Sequence, residues 1–345
     1  MTDGNSSQEP DIKTQASKLL NSVAGYVGFR AIEIGMKTGL IDELSKHPEG
    51  ISVNDLATKT NLDPFYVEVW CRSAYGAEVL DVDENGTYRL SYHMKTLLLD
   101  SDSPAYTGGV FTVLSQPEIF DQFHKNFATG DRTWWDKCSP EFIKGVGNTG
   151  KAFNNRLIPV GLNKVPGLSE RLGDGANVLE LACGTGNALT KFLKNYPNAM
   201  LSGLDGDEFS LKLASEDLKK TGFGDKVRLI HSTLEDFDKE NEFDLITINI
   251  SMHECRDIEK VTANVYKALK PGGFFVISDF PFPENIEGLR AIPGKIMGGI
   301  QFFEALIGDQ LLPTRAFKDL LQSHNFKNVD SFELAPVHVV VYGQK

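Results

Sequence analysis

The sequence predicts an α/β protein in which a smaller, mainly helical domain precedes a larger domain built on a mostly parallel sheet. Three observations carry this prediction. From Asn177 onward, short apolar strand-like runs alternate with helical stretches, the pattern of helices laid against a parallel sheet. Before residue 100 the patterns are helical and are closed by one hairpin signal. The length of 345 residues also exceeds the roughly 250–300 at which one core stops growing, so two domains are expected.

Each element has its own signal. Residues 1–15 are polar, lack the apolar stretch of a secretory leader, and are expected to be a disordered tail. Phe29, Ile32, Met36, Leu40 and Leu44 recur at three- and four-residue steps, which suits an amphipathic helix over Gly28–Leu44. Ser52 with Asp55 three residues on opens a second helix. Asp63-Pro64 opens a third, because Asp caps well and Pro fits the first helical position. Val79–Val82 and Thr87–Leu90 flank Asn85-Gly86 and read as a hairpin. Three helices followed by a hairpin make a winged-helix pattern over residues 16–100. Residues 101–170 are rich in aromatics and interrupted by Gly and Asn, so a helical linker is expected there. In residues 171–345 the strands fall at Val178–Leu181, Met200–Leu204, Val227–Ile230, Phe243–Ile248 and Phe274–Ser278, with a closing pair at Val329–Leu334 and His338–Tyr342.

Composition excludes several function classes. Lys and Arg number 35 against 47 Asp and Glu, a net charge of −12, which disfavours a protein that binds nucleic-acid backbone. The presumed wing region is acidic too: between Ile51 and Asp100 stand 4 basic residues and 8 acids. Its third helix carries Phe65, Tyr66, Trp70 and Tyr75 beside Asp63 and Glu68. That profile fits contact with another protein chain, so a homodimer through this domain is expected and nucleic acid is not. Cys71, Cys138, Cys183 and Cys255 stand far apart, so neither a disulfide framework nor a zinc ribbon is expected. With no apolar run near ~18 residues, no membrane span is expected, and a reduced cytoplasm is the simplest setting.

The chemistry concentrates after Val178–Leu181. There a strand runs into Ala182-Cys183-Gly184-Thr185-Gly186-Asn187 and then into a helical stretch. Glycines at such a turn let backbone pass close to a ligand, and the helix N-terminus offers unpaired N–H donors. Asp205 ends the next strand, where an acid can accept both ribose hydroxyls. Leu189 stands where the dinucleotide fingerprint needs Gly or Ala, which favours a nucleoside without a pyrophosphate. Glu180 suits a ligand bearing an amino group.

The run Val178–Ala188, the position of Asp205, and Leu269-Lys270-Pro271-Gly272-Gly273 before a strand resemble class I S-adenosylmethionine-dependent methyltransferases with a Rossmann-like sheet. The winged-helix start resembles the small-molecule O-methyltransferases that dimerise through an N-terminal domain. That resemblance implies S-adenosylmethionine as cofactor, with Glu180 near its methionine amino group. Ala182, Gly184 and Gly186 would line it, Asp205 would hold its ribose, and Thr233, Leu234 and Asn249 would complete the contacts. Two positions depart from the family pattern: Ala182 replaces a Gly, and Thr233 stands near the usual Asp that meets the adenine.

His253 in Ile248–Asp257 follows the fourth strand of the series, where residues border the ligand crevice. It resembles the general-base His of plant O-methyltransferases, and Glu304 can orient it. An ordinary His, with a pKa of about 6.5, is largely neutral at pH 7 and accepts a phenol proton. A capping His and a solvated Glu304 are the plainer alternatives. His47, His93, His124, His231, His324 and His338 show no paired spacing, so no metal is assigned. Trp134, Trp135, Phe120, Phe123, Met252, Phe280, Phe302 and Phe303 are candidate walls of an acceptor pocket, and Phe153-Asn154 resembles a stretch that packs near the cofactor. The expected activity is methyl transfer to an oxygen of a small aromatic or polyketide-like acceptor. Methylation of carbon or nitrogen, or a non-catalytic regulator, would use the same cofactor residues.

Overall fold

A computed structural model describes residues 10–173 and 175–345; the first nine residues of the expected tail lie outside the described residues. Contacts divide the chain into two units, Met1–Asp100 and Ser101–Lys345.

The first unit contains α1 (Ile12–Lys37), α2 (Leu40–Leu44), α3 (Val53–Thr60), α4 (Pro64–Gly76), β1 (Leu80–Val82), β2 (Tyr88–Leu90) and α5 (Met94–Leu98). Helix α1 starts inside the stretch expected as tail, because the Asp11 carboxylate caps the N–H groups of Lys13 and Thr14. The single helix expected over Gly28–Leu44 is split at Gly39, whose φ of 77° ends one helix and starts the next. The Ser52 and Asp63 caps accept from Asp55 N and from Phe65 N and Tyr66 N. Trp70 donates its indole N–H to Ala31 O at 2.8 Å and so ties α4 to α1. The other face of α1 is apolar and uncovered, with Leu19, Leu20, Val23, Tyr26 and Val27 all at least half exposed.

The second unit opens with α6 (Gly108–Leu114), α7 (Pro117–Asn126), α8 (Pro140–Arg156) and α9 (Leu168–Gly173). The alternating part follows: β3 (Asn177–Leu181), α10 (Asn187–Asn195), β4 (Met200–Asp205), α11 (Glu208–Lys220), β5 (Val227–His231), β6 (Phe243–Asn249), α12 (Ile258–Ala268) and β7 (Leu269–Asp279). Helices α13 (Ile292–Ile307) and α14 (Thr314–Ser323) then precede the hairpin of β8 (Lys327–Ala335) and β9 (His338–Gln344).

The seven strands lie in the order β5-β4-β3-β6-β7-β9-β8. All neighbours are parallel from β5 to β7, whereas β9 runs antiparallel to both β7 and β8. Successive side chains on a strand point to opposite faces, so each central strand feeds two cores. Val178, Leu245, Phe274 and Val276 meet α9 and α10 on one face. Leu179, Leu181, Ile246, Ile248, Phe275 and Ile277 meet α12 and α14 on the other. Each fully buried Leu, Ile or Val in these layers contributes about 1.5–3 kcal/mol. Coverage on both faces explains why these strands read as continuous apolar runs. Chain order reverses between β3 and β6, and ligands of open α/β sheets bind at the carboxyl ends of strands at such a switch point. Among the described residues, no helix is long and apolar enough to cross a membrane.

Candidate active site

A cavity of about 530 Å³ opens at that switch point. The ends of β3 and β4 contribute Glu180, Ala182, Gly184 and Asp205; the segment after β5 gives Thr233, Leu234 and Glu235. The segment after β6 adds Asn249, Ile250, Ser251, Glu254, Cys255 and Arg256, and Trp134, Trp135 and the α8 residues Ile143, Val146 and Asn154 close it.

The glycine turn is bent by three left-handed residues, Ala182 at φ 49°, Gly184 at φ 50° and Gly186 at φ 83°. Ala182 therefore adopts a conformation that favours glycine. An added Cβ on Gly184 would meet no protein atom within 4 Å, whereas on Gly186 it would sit 3.0 Å from the Ala214 Cβ. Gly184 thus borders open cavity. Gly186 serves the approach of α10 to α11, and its neighbours Thr185 and Asn187 line the cavity.

Asp205 is pinned on both oxygens, accepting from Gly184 N and from Asp207 N at 2.8 Å each. Burial raises its pKa against those two donors, and the remaining lone pairs can receive a diol. Glu180 is buried, and among the described residues its one side-chain partner is the Thr247 hydroxyl across the β3–β6 pair. Burial pushes its pKa up to about 7. A buried carboxyl with one hydroxyl partner and a cavity beside it fits a ligand ammonium. Thr233 does reach the wall, but its hydroxyl donates to Asp236 Oδ2 at 2.8 Å and accepts from Asp236 N at 3.2 Å. The charged acceptor in that region is Glu235, which sequence reasoning did not select.

His253 is buried beside the cavity and is absent from its wall. Nδ1 donates to Asp279 Oδ1 at 2.8 Å, and Nε2 lies 3.5 Å from Glu304 Oε1. The structure thus brings Glu304 to His253 as anticipated, on the buried face of α13 rather than in solvent. The surroundings of this imidazole differ from the ordinary ones expected of it. Burial lowers its pKa, but the charges of Asp279 and Glu304 outweigh this and raise it well above 6.5, which favours the charged ring. The wall position belongs instead to its neighbour Glu254, whose pKa is raised well above 4.5 by burial and then by Glu304. Asp279 was missed because sequence reading ended that strand at Ser278; the rule that strand ends border the crevice could have found it. His253, Glu254 and Glu304 each place one metal-ligating type of atom within 4.8 Å of the others, a set that can hold a divalent cation and that no local spacing disclosed.

Of the expected acceptor walls, Trp134 and Trp135 line the cavity. Phe120 and Phe123 instead each pack against Phe302, tilted and edge-on, Phe303 packs on Trp135 and Phe142, Phe280 packs on Phe153, and Met252 is fully buried. Two thiols, Cys183 and Cys255, also line the cavity, and burial followed by nearby carboxylates raises the pKa of both.

A doubly covered parallel sheet with a glycine turn and a pinned aspartate at its switch point defines a nucleoside-cofactor-binding α/β protein. Residues 172–310 match a methyltransferase domain family. The chain is 32% identical over 124 residues to a demethylmenaquinone methyltransferase of Listeria welshimeri, covering 35% of this chain and 52% of that protein. It is 32% identical over 181 residues to the ubiquinone/menaquinone biosynthesis C-methyltransferase UbiE of Psychromonas ingrahamii, covering 47% of this chain and 70% of that one. The chain thus spans about half the length of the first of these relatives. A solved structure from Nostoc punctiforme, to which O-methyltransferase activity is ascribed, superposes with a TM-score of 0.74 at 16% identity over 98% of this chain and 100% of that one, a likeness of fold. The chain belongs to the S-adenosylmethionine-dependent methyltransferases.

Proposed function

We propose that this chain transfers the methyl group of S-adenosylmethionine to an oxygen of a small aromatic or polyketide-like acceptor. The observation that carries this reading is a single cavity that joins the Glu180–Gly184–Asp205 constellation to an aromatic wall of Trp134 and Trp135 and to the ionisable Glu254. Glu180 would face the methionine ammonium, Gly184 and Asp205 the ribose, and Thr233, Leu234, Glu235 and Asn249 the rest of the cofactor. When bound, the cofactor supplies a sulfonium methyl already activated for transfer. The chain's own residues then have three tasks: to orient the acceptor against Trp134 and Trp135, to exclude water, and to take up the acceptor proton. Orientation can contribute much of the rate. The proton would pass to Glu254, whose pKa is held above the ordinary carboxylate range by burial and then by Glu304, while His253, fixed between Asp279 and Glu304, offsets part of the cluster's negative charge.

The test is a screen of phenolic acceptors with methyl-¹³C cofactor, in which the shift of the product methyl distinguishes O-, N- and C-methylation. With an active acceptor, Glu254→Gln is expected to lower kcat by about 10²–10⁴, the usual contribution of a positioned base, while cofactor affinity holds. A kcat within threefold of the parent would remove Glu254 from the chemistry. Transfer to carbon is the second reading, favoured by the C-methyltransferase named among the relatives. Residues 16–100 would serve as a winged-helix dimerisation module through the uncovered apolar face of α1, residues 101–170 would shape the acceptor side, and a reduced cytoplasmic setting would suit the four free thiols.

A further inference from the structure

The Asn154 amide touches the cavity, and its hydrogen bonds can be assigned in one direction only. The series begins at Arg156, a donor that has no acceptor atom. Its Nε lies 3.1 Å from His338 Nδ1, so that ring nitrogen must accept. His338 is fully buried, and burial followed by the Arg156 charge keeps its pKa well below 6.5, so its one proton sits on Nε2. Nε2–H donates to Ser278 Oγ at 2.7 Å. Ser278 must then pass its own proton to Asn249 Oδ1, at 2.5 Å. Asn249 Nδ2 is left to donate to Asn154 Oδ1, at 2.9 Å. The backbone supports the series, because Asn249 and Ser278 are directly paired on β6 and β7 and His338 starts β9 beside them.

With each link in this direction, Asn154 ends with its carbonyl used and its NH₂ group free. Among the described residues that NH₂ has no protein partner, although Asn154 is 94% buried (6% exposed). Asn154 borders the main cavity and also a second one of about 210 Å³, whose wall carries Lys151, Lys191 and Lys194 together with Asp102 and Asp217. The main cavity presents the carboxyl groups of Glu180, Asp205, Asp207, Glu235 and Glu254 and one guanidinium, Arg256, which lies over the Trp134 ring. An anionic group on a ligand therefore meets repulsion along most of that wall, whereas Asn154 offers a fixed donor with lysines beyond it.

We propose that the Asn154 NH₂ is the binding site for the α-carboxylate of the cofactor's methionine end, and that Arg156, His338, Ser278 and Asn249 are positioning residues that keep the donor facing the ligand. This rests on the cofactor reading above and divides the zwitterionic end of the cofactor: ammonium to Glu180, carboxylate to Asn154.

The test is calorimetric binding of S-adenosylhomocysteine and of its decarboxylated analogue, which differ only in the carboxylate. In the unmodified protein, loss of the carboxylate should weaken binding about ten- to hundredfold, the range for a hydrogen bond to a charged group. Asn154→Asp keeps the acceptor for Asn249 and removes the donor, so it should erase that difference by weakening only the carboxylate-bearing ligand. Ser278→Ala breaks the series at a distance and should shrink the difference in the same sense, a selective effect that general loosening of the fold would not produce. The proposal is overturned if the two ligands bind the unmodified protein alike, or if both variants lose both ligands equally. Absence of binding by either ligand to the unmodified protein would overturn the cofactor reading itself.

Discussion

Glu180 should make cofactor binding depend on pH in a way its position allows to be worked out. In the free protein its pKa is pushed up to about 7 by burial, with the Thr247 hydroxyl opposing. A ligand ammonium beside it favours the ionised form, so the pKa falls on binding and a proton is released. Affinity must then rise with pH through the free-state value and level off above it. With a free-state pKa of about 7, the ionised fraction is roughly 0.09 at pH 6 and roughly 0.76 at pH 7.5, a ratio of about eightfold or about 1.2 kcal/mol. S-adenosylhomocysteine is the ligand of choice, since it needs no turnover. Calorimetry in two buffers of different ionisation enthalpy should count roughly 0.9 proton released at pH 6 and roughly 0.5 at pH 7. Glu180→Gln should flatten the profile over this window at or below the low-pH affinity. A change of less than twofold in the unmodified protein, or the same slope retained in the Gln variant, would refute the reasoning.

Ala182 pays for its left-handed backbone: the conformation costs an L-residue roughly 1–2 kcal/mol, and glycine's greater freedom in the unfolded chain returns about 0.4–1 kcal/mol of that. Ala182→Gly should therefore stabilise the protein by about 0.5–1 kcal/mol, read as a rise in the denaturation midpoint at unchanged slope. Replacing Leu20 and Val23 by Lys on the uncovered face of α1 should turn a dimer into a monomer in analytical ultracentrifugation without unfolding; an unchanged mass would exclude this face as the interface. Because the His253 ring already lies against the Asp279 and Glu304 carboxylates, the cluster's charge is offset without an ion, and dialysis against EDTA should leave methyl transfer unaltered. Loss of activity on chelation, restored by one divalent cation, would instead make His253, Glu254 and Glu304 metal ligands.

The α/β half was legible because its strands are covered on both faces, so Val178–Leu181 or Phe274–Ser278 could be recognised from apolar continuity alone. The caps at Ser52 and Asp63 were legible because each acts within three residues of itself. What escaped was long-range. His253 and Asp279 are 26 residues apart, and Arg156 and His338 are 182 apart, so no window of sequence places them together. His338 was set aside for lack of a neighbouring histidine, yet its partners are an arginine and a serine from other elements. The upward shift of the His253 pKa escaped for the same reason: it comes from carboxylates that only the folded chain brings to the ring. The contact of Gly186 with α11 escaped as well, since helix packing and ligand approach both select glycine.

The thiols of Cys183 and Cys255 give the cavity an unusual chemical tolerance. Their raised pKa values leave almost no thiolate, and it is the thiolate that reacts with alkylating agents and peroxides. Bulk reagents should therefore leave the pocket untouched under conditions that modify ordinary surface cysteines. An electrophile carried in on an adenosine scaffold would gain from enforced proximity instead, which makes these two sulfurs anchoring points for covalent probes selective for this enzyme.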